Sequence, residues 1–547
     1  MSVSLLLLAV VILLLIILPG SVLSQKGKRL SKKRERKLKG IGDASNTDPI
    51  FSGEINVDEL AISSHFADVL RPTSDFEGTE ELEQALNYIP MDSRCVAGEC
   101  CRYPDYLSLS QAGVKNPKLA MLLHNFFERQ RGLTVLIKEW VAFQANNTSA
   151  SDPRFANITD TLTKADFLIY QSILGGLGNK IMGFISTAVM AMLTDRYLLT
   201  AGIELDLYTC SLAIDYSVEL LLRPIKKKVR GYERITEDED LFPHWLQKDG
   251  KPFIFVRQQD GAVKLAHVYG CANPLTVLPP GGQTIVFRPF GWLVELLFYN
   301  PHTAWYIDDV FAHQPTGTME YSTVLLRLLL QPTDDVYTHL RNYLDTHHLQ
   351  PLWGPLLAHS NNRTGTARRP FAALQFRQAI TMRPGTPFNI SAADLCLFNN
   401  KNSSTSDKPT PVYVAILTLL AKYRAEMAEK YKDLLLPPFM GPPTERHIVV
   451  PSTNVTGMKQ AVGDVILLSQ ATTLITTKMS TFGQIAYVMR ARPHGFLPTN
   501  KDSNYAADPC FHRANWQPCF DSSNMVQCKQ YHSNTTDWNI PPANKLC

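Results

Sequence analysis

The sequence lacks the local signatures of several well-marked classes of protein. Its ten cysteines include no C-x-x-C pair, which is the spacing that structural zinc sites favour. Its glycine-rich stretch, residues 175–180, fits neither G-x-x-x-x-G-K-[ST] nor G-x-G-x-x-G. No repeat is visible along the chain. These absences disfavour a zinc module, a P-loop and a solenoid.

Charge is also scarce, at 19% of residues, and it is unevenly placed. The segment Lys26–Lys39 holds nine basic residues and one acidic residue, so it carries +8 of a net charge of +4. The rest of the chain therefore sums to about −4. A body of that charge gives no support for nucleic acid binding.

The longest apolar run, Leu5–Leu18, is shorter than an ordinary membrane span. It has fourteen residues and is followed by Pro19 and Gly20, whereas a spanning helix needs about 20. This pattern is typical of a signal-peptide core or of a short membrane anchor. Val22 and Ser24 suit a cleavage site, and both alternatives direct the rest of the chain into the secretory pathway.

Cysteines and glycosylation triplets agree with a secretory destination. Clustered cysteines in an oxidising compartment indicate disulfides rather than metal ligands. The N-x-Ser/Thr acceptors are Asn146, Asn147, Asn157, Asn362, Asn389, Asn402, Asn454 and Asn534. We therefore expect a protein of the secretory pathway, either membrane-anchored or lumenal.

Alternation of apolar and amphipathic segments predicts an α/β fold. We expect four parts: a signal peptide or anchor over 1–24, a basic polar stem over 25–90, an N-terminal lobe over 91–345, and a C-terminal lobe with a Cys-rich tail over 346–547. In the N-terminal lobe, "ADFLIYQSIL" predicts a strand, "TIVFRPFGWLVELLF" and "TAWYIDD" predict strands or buried segments, and "TDDVYTHLRNYLDTHHLQ" predicts a helix.

The second half predicts a Rossmann-like unit, because strand and helix patterns alternate there. The predicted strands are "FAALQFRQ", "HIVVPS" and "TTLITT". The predicted helices are "VYVAILTLLAKYRAEMAEKYKDLLL", "MKQAVGDVILLSQ" and "TFGQIAYVMRA". A second such lobe in the first half would leave a cleft between the two.

Two strand ends in the second half carry groups that suit a phosphate. Ser480 and Thr481 precede a helix, whose free N–H groups and partial positive charge favour anions, and Gly483 permits a close backbone approach. A plain capped helix is the alternative. Arg377 ends the strand "FAALQFRQ", and its planar guanidinium can bind two phosphate oxygens, or form a salt bridge instead.

The glycine-rich stretch opens a long apolar helix that packs as core. Asn179 is a good helix cap, and Lys180 can face a cleft. We expect Gly178, Asn179 and Lys180 to line the acceptor side of a site rather than to bind a nucleotide.

Several of these elements, in this order, resemble motifs of the plant-type xyloglucan fucosyltransferase family, from about residue 165 to 530. The family's Gly-Leu-Gly-Asn-Arg is matched by Gly176–Lys180, with lysine in place of arginine. Its Gly-Ile-Gln-Ile-Arg is matched by Ala373–Arg377, with the first glycine changed. The other matches are Leu193–Arg196, Asp308–Phe311, Ser480–Gly483 with Ala486, and Pro509–His512 with Cys519, whereas Gln484 and Ile485 depart from the family pattern.

The resemblance implies a GT-B-like fold of two Rossmann-like lobes and an inverting, metal-independent transfer of L-fucose from GDP-fucose. The acceptor would be a hydroxyl of a cell-wall polysaccharide or a glycoprotein glycan, with galactose O-2 as the expected position. The resemblance places the donor against Gln375, Arg377, Ser480, Thr481, Phe482 and Gly483.

It also makes Arg377 and Asp308 the expected catalytic residues. Arg377 would stabilise the leaving diphosphate, and Asp308 would be the base. A structural carboxylate at a strand end is the alternative for Asp308. For the whole chain, the alternatives are a related transferase with another nucleotide sugar and a non-catalytic, secreted glycan-binding protein.

Overall fold

The computed structural model describes 22 stretches of the chain, all within the unit Asn56–Cys547. They are residues 78–90, 107–145, 152–171, 176–201, 243–247, 254–257, 265–271, 273–274, 278, 284–289, 292–298, 300, 302–313, 318–319, 321–361, 368–376, 410–416, 428–440, 455–477, 480–492, 494–497 and 512–513. The predicted leader, most of the predicted stem and every glycosylation triplet other than that of Asn157 lie outside them.

The helices fall into two groups along the chain. The first eight are α1 (Glu80–Asn87), α2 (Leu109–Ala112), α3 (Pro117–Ala145), α4 (Pro153–Lys164), α5 (Leu177–Leu193), α6 (His244–Gln247), α7 (Leu265–Gly270) and α8 (Ala304–Phe311). The later ones are α9 (Tyr321–Leu329), α10 (Asp334–Thr346), α11 (Gly354–Asn361), α12 (Val455–Ser469) and α13 (Thr481–Arg490). Short 3₁₀ turns cover Val294–Phe298 and Lys432–Leu434. Among these described helices, none combines the length and the apolar character that a membrane crossing requires.

Two larger sheets and one short ribbon organise the strands. The first sheet contains β1 (Phe167–Gln171), β2 (Tyr197–Ala201), β3 (Ile254–Arg257) and β4 (Ile285–Arg288), in the order β2-β1-β4-β3. A two-stranded ribbon joins β5 (Ala312–His313) and β6 (Thr318–Met319). The second sheet contains β7 (Ala372–Phe376), β8 (Val412–Ile416), β9 (Thr473–Thr477), β10 (His494–Leu497) and β11 (His512–Arg513), in the order β11-β10-β9-β7-β8.

All pairs in the first sheet are parallel, and in the second only β10–β11 is antiparallel. Parallel strands need crossover connections that cover the faces of a sheet, which is why β1 and β7 are buried along their whole length. The α/β prediction is confirmed at this level. The first sheet falls within the range predicted for the N-terminal lobe and the second within that of the C-terminal lobe, whereas the exact boundaries stay predictions.

The helix α5 is apolar on nearly every side and lies buried in the core. It is tied to β1 by the Tyr170 hydroxyl, which donates to the Lys180 carbonyl oxygen at 2.9 Å. Its end is fixed by Arg196, whose buried guanidinium donates to the carbonyl oxygens of Phe167 and Leu278, each at 3.3 Å. The motif ending at Arg196 is therefore a structural connection between the helix and the sheet.

Most of the segment predictions are confirmed, and one is wrong. The strands predicted before the glycine-rich stretch, at "FAALQF" and at "TTLITT" are β1, β7 and β9, and the last two predicted helices are α12 and α13. "VYVAI" is not the start of a helix but the strand β8, because its β-branched and aromatic residues pair in parallel with β7. Of the two alternatives for "TAWYIDD", the buried segment is confirmed: the stretch lies in the helix α8, where Ile307 and Val310 are buried. The predicted strand "HIVVPS" lies outside the described residues.

A buried carboxyl group joins α12 to the second sheet. The hydroxyl of Tyr413, on β8, donates to Asp464 Oδ1. Burial raises the pKa of Asp464 to about 7, although the hydrogen bond from Tyr413 lowers it in part. Beside this pair, the Tyr343 hydroxyl donates to the Pro437 carbonyl oxygen at 2.5 Å, and its ring packs edge-on against Tyr413. The cluster fixes α10, α12 and β8 to each other.

This carboxyl group predicts a loss of stability as the pH rises. Since the folded pKa of Asp464 lies above the unfolded one, its contribution is complete below about pH 4 and disappears as the pH rises to about 7. In Asp464→Asn, the amide oxygen still accepts from Tyr413 but cannot ionise. We expect the variant to be more stable than the wild type at pH 8 and equal to it at pH 4, as measured by urea unfolding. An equal difference at both pH values would contradict this assignment.

Candidate functional site

The starts of α5 and α13 touch each other. A Cβ atom added at Gly178 would lie 2.7 Å from the carbonyl carbon and Oγ1 of Thr481, and 2.8 Å from the backbone nitrogen of Phe482. These separations are shorter than van der Waals contact, so only glycine fits at this position without a shift of the backbone. The glycine-rich stretch predicted for the acceptor side and the turn predicted for the donor therefore meet directly.

The first turn of α13 is organised as a capped helix start. Ser480 is the N-cap, and its hydroxyl accepts from the Gly483 N–H at 3.5 Å, while its carbonyl oxygen accepts from the Gln484 N–H at 2.8 Å. By their position in the helix, the N–H groups of Thr481 and Phe482 have no intrahelical acceptor. The start of α13 can therefore be capped by Ser480 and still bind an anion, because the cap uses only some of the backbone N–H groups at this end.

Beneath this turn, Gly483 lies against the ends of two neighbouring strands. A Cβ atom there would be 2.7 Å from Gln375 Oε1 and 2.8 Å from Thr476 Cβ. Gln375 and Thr476 are register partners on β7 and β9. The amide oxygen of Gln375 accepts from the Thr477 N–H at 3.2 Å, and its carbonyl oxygen accepts from the Thr477 hydroxyl at 3.0 Å. Gln375 therefore supports the strand ends from a fully buried position.

Three buried polar atoms around the same turn have no hydrogen-bond partner: Gln375 Nε2, Thr476 Oγ1 and Gln484 Oε1. Each such group costs about 1–3 kcal/mol of stability. Other described residues, such as Trp292 and Ser322, also bury unpartnered polar atoms, but three of them around one turn are compatible with a functional site.

The remaining predicted site residues fall outside this contact. Arg377 directly follows β7 in the sequence and lies outside the described residues. Asp308 is exposed on α8. The neighbouring Asp309 has a structural role. Its carboxylate pairs with Lys118, and its carbonyl oxygen accepts from the Asn116 amide at 2.7 Å. Asn179 and Lys180 are both half-buried in the first turn of α5.

A buried pair of polar side chains at the carboxyl end of the first sheet was not predicted from the sequence. Arg288 Nε donates to Gln171 Oε1, and both side chains are buried. Gln171 and Arg288 are the last residues of β1 and β4, one position beyond the last register pair between these two neighbouring strands. Ligands of open α/β sheets bind beyond the carboxyl ends of the strands. A polar residue ending each strand is the signal that could have indicated this pair.

Within the described part of the chain, no group of three or more His, Cys, Asp or Glu side chains is placed to hold a metal ion. Cys271 is buried and takes part in a disulfide bond.

A solved structure has a similar fold. The chain superimposes on a variant of Arabidopsis thaliana FUT1 in complex with GDP, with a TM-score of 0.50, 18% identity, and coverage of 82% of this chain and 94% of that one. More distant similarities are to fucosyltransferase NodZ from Bradyrhizobium (TM-score 0.33, 10% identity, 64% of this chain and 99% of that one) and to POFUT1 in complex with GDP-fucose (TM-score 0.31, 10% identity, 61% and 98%).

No family model matches the sequence, and no curated protein does. The protein thus has an α/β fold of the kind seen in a plant fucosyltransferase. The resemblance drawn from the sequence motifs is confirmed at the level of the fold, over most of both chains.

The hydrogen bonds at this turn predict that two substitutions on neighbouring strands change the free energy of unfolding differently. Gln375→Met removes the acceptor of the Thr477 N–H and should lower the free energy of unfolding by about 1–3 kcal/mol. Thr476→Val replaces a hydroxyl that bonds to nothing with a methyl group of similar size, so it should be neutral or stabilising. Urea unfolding of both variants checks this. A loss of more than about 1 kcal/mol in Thr476→Val would mean that the hydroxyl has a partner.

Proposed function

We propose that this protein is a glycosyltransferase of GT-B type that moves L-fucose from GDP-fucose to a hydroxyl of a glycan. The observation that carries the proposal is the contact between Gly178 and Thr481. It brings the starts of two long helices, one from each sheet, to a single point. The fold shared with a plant fucosyltransferase supports the same function.

The donor would bind at the start of α13. The diphosphate of GDP carries negative charge, and the N–H groups of Thr481 and Phe482 together with the positive end of the helix favour such a group. Gly483 keeps the turn close to β7 and β9, where a side chain would force it outwards. The carboxyl ends of these parallel strands are where ligands of open α/β sheets bind.

Arg377 follows β7 directly and would provide the charge that the reaction needs. As the bond between fucose C1 and the diphosphate oxygen breaks, negative charge develops on the leaving GDP. A guanidinium there stabilises the transition state more than the ground state, because the charge is greater in the transition state. Catalysis would then depend on position and charge without a bound metal.

The acceptor hydroxyl would attack fucose C1 from the face opposite GDP, so that the configuration at this carbon inverts. The attacking oxygen loses its proton to a base as the new C–O bond forms. Asp308 is the proposed base, because it is an exposed carboxylate on α8 and so is accessible to solvent and solutes. Asn179 and Lys180 would line the acceptor side beside the donor turn.

The proposed setting is the Golgi, on the membrane or in the lumen, with a cell-wall polysaccharide or a glycoprotein glycan as the acceptor. The buried disulfide of Cys271 supports an oxidising compartment. Asn157, in the triplet Asn-Ile-Thr, is exposed on α4 and so is open to modification there.

A panel of nucleotide sugars tests the donor. The lumenal part of the chain is incubated with GDP-fucose, GDP-mannose, UDP-galactose and UDP-glucose, with and without EDTA, and nucleotide release is measured. We expect GDP release from GDP-fucose alone and no effect of the chelator. Turnover of another sugar nucleotide would indicate a different transferase, and no turnover or binding of any of them would contradict the proposal.

Arg377→Ala should reduce the turnover of GDP-fucose at least a hundredfold, because one group that stabilises a developing charge is worth about that factor or more. Arg369→Ala is the matched control, since Arg369 is an exposed arginine near the start of β7, at the opposite end of the strand. Its turnover should remain close to that of the wild type. Turnover of Arg377→Ala equal to that of the control would overturn the role of Arg377.

A further inference from the structure

The helix α13 contacts elements that precede the second sheet at both of its ends. At its start, the Thr481–Phe482 peptide lies against Gly178. At its end, the Thr323 hydroxyl donates to the Val488 carbonyl oxygen at 2.9 Å, and Arg327 Nε donates to the Met489 carbonyl oxygen at 2.9 Å. Thr323 and Arg327 both belong to α9.

The attachment at the far end is rigid. Arg327 also donates to the Ala112 carbonyl oxygen at 3.1 Å, and its guanidinium stacks over the ring of Trp353 at 4.5 Å. Thr323 is buried, and burial lowers the pKa of Arg327 to about 10, so the group stays charged at neutral pH. The C-cap of α13 is Ala491, whose backbone is in the left-handed conformation with φ 56°. These bonds oppose sliding of α13 along its axis.

A side chain at position 178 therefore has no easy way to be accommodated. Two of the three atoms that it would meet, the Thr481 carbonyl carbon and the Phe482 nitrogen, belong to the backbone of the first turn of α13. They can give way only if the turn itself moves. On the other side, α5 is fixed to β1 by the Tyr170 hydroxyl and is buried along its length.

We propose that Gly178 is a positioning residue for the donor turn, and that α5 sets the affinity of this turn for the nucleotide through the contact. The inference rests on the proposed function, because it assumes that the first turn of α13 binds the diphosphate. A displacement of about 1 Å at a binding turn can cost about a hundredfold in rate or affinity. Gly178 itself needs no contact with the ligand to have this effect.

The same helix offers a matched control. A Cβ atom at Gly183 would lie 2.9 Å from the Pro289 carbonyl oxygen and 3.2 Å from the ring of Tyr170. It is nearly as crowded as Gly178, but its neighbours belong to the first sheet and not to α13. Gly178→Ala and Gly183→Ala should therefore both strain α5, whereas only Gly178→Ala should displace the donor turn.

The test is the dissociation constant of GDP for the wild type and the two variants, measured by isothermal titration calorimetry, with circular dichroism and thermal unfolding to check the fold. We expect Gly178→Ala to bind GDP at least tenfold more weakly, and Gly183→Ala to bind within about threefold of the wild type. The KM for GDP-fucose should rise in Gly178→Ala in parallel with the dissociation constant of GDP.

The outcomes separate this inference from the function on which it rests. If the wild type binds GDP and Gly178→Ala binds it equally well, or if both variants lose the same affinity, the positioning role is overturned and the function stands. If the wild type does not bind GDP, both are overturned. If Gly178→Ala does not fold, Thr323→Val tests the other end of the helix. It removes one bond to α13 and should weaken GDP binding at least twofold, and an unchanged affinity would overturn the inference.

Discussion

The contact between Gly178 and the Thr481–Phe482 peptide is the constraint on which the arrangement of the site depends. It joins the first turns of α5 and α13, which follow strands of different sheets. Parallel strands with helical crossovers place helix starts at the carboxyl edge of a sheet. Two such edges brought together put two positive helix ends at one place, which suits a substrate with a diphosphate between a nucleoside and a sugar.

The residues around this contact hold the first turn of α13 in place but lower the stability of the fold. Gln375 supports the end of β9 with one atom of its amide and leaves the other without a partner. Thr476 and Gln484 likewise bury polar atoms that bond to nothing. An interior chosen for stability alone would use apolar residues here, as the rest of the core does. At the far end of α13, by contrast, Arg327 and Arg490 donate to backbone carbonyl oxygens.

Local sequence predicted the elements whose pattern is local. The strands β1 and β7 are short, mainly apolar runs, β9 is a short run rich in β-branched residues, and Ser480 marks the start of α13 by its capping chemistry. The prediction from local sequence was wrong at "VYVAI", because no Gly, Pro or other turn residue separates this apolar strand from the amphipathic run that follows it. The pairing of Gln171 with Arg288 and the fit of Gly178 against Thr481 join residues far apart in the chain. No periodicity shows such contacts, and the motif resemblance suggests candidate site residues without showing what each one touches.

Hydrogen–deuterium exchange with and without GDP tests the central claim most directly, because it reports on the amide groups of both helix starts at once. The account predicts that peptides covering residues 176–180 and 480–484 both exchange more slowly when GDP is added, since the nucleotide holds the donor turn and the turn holds α5. Slower exchange in the second segment alone would mean that the two helix starts are independent. No change in either segment would contradict the location of the site.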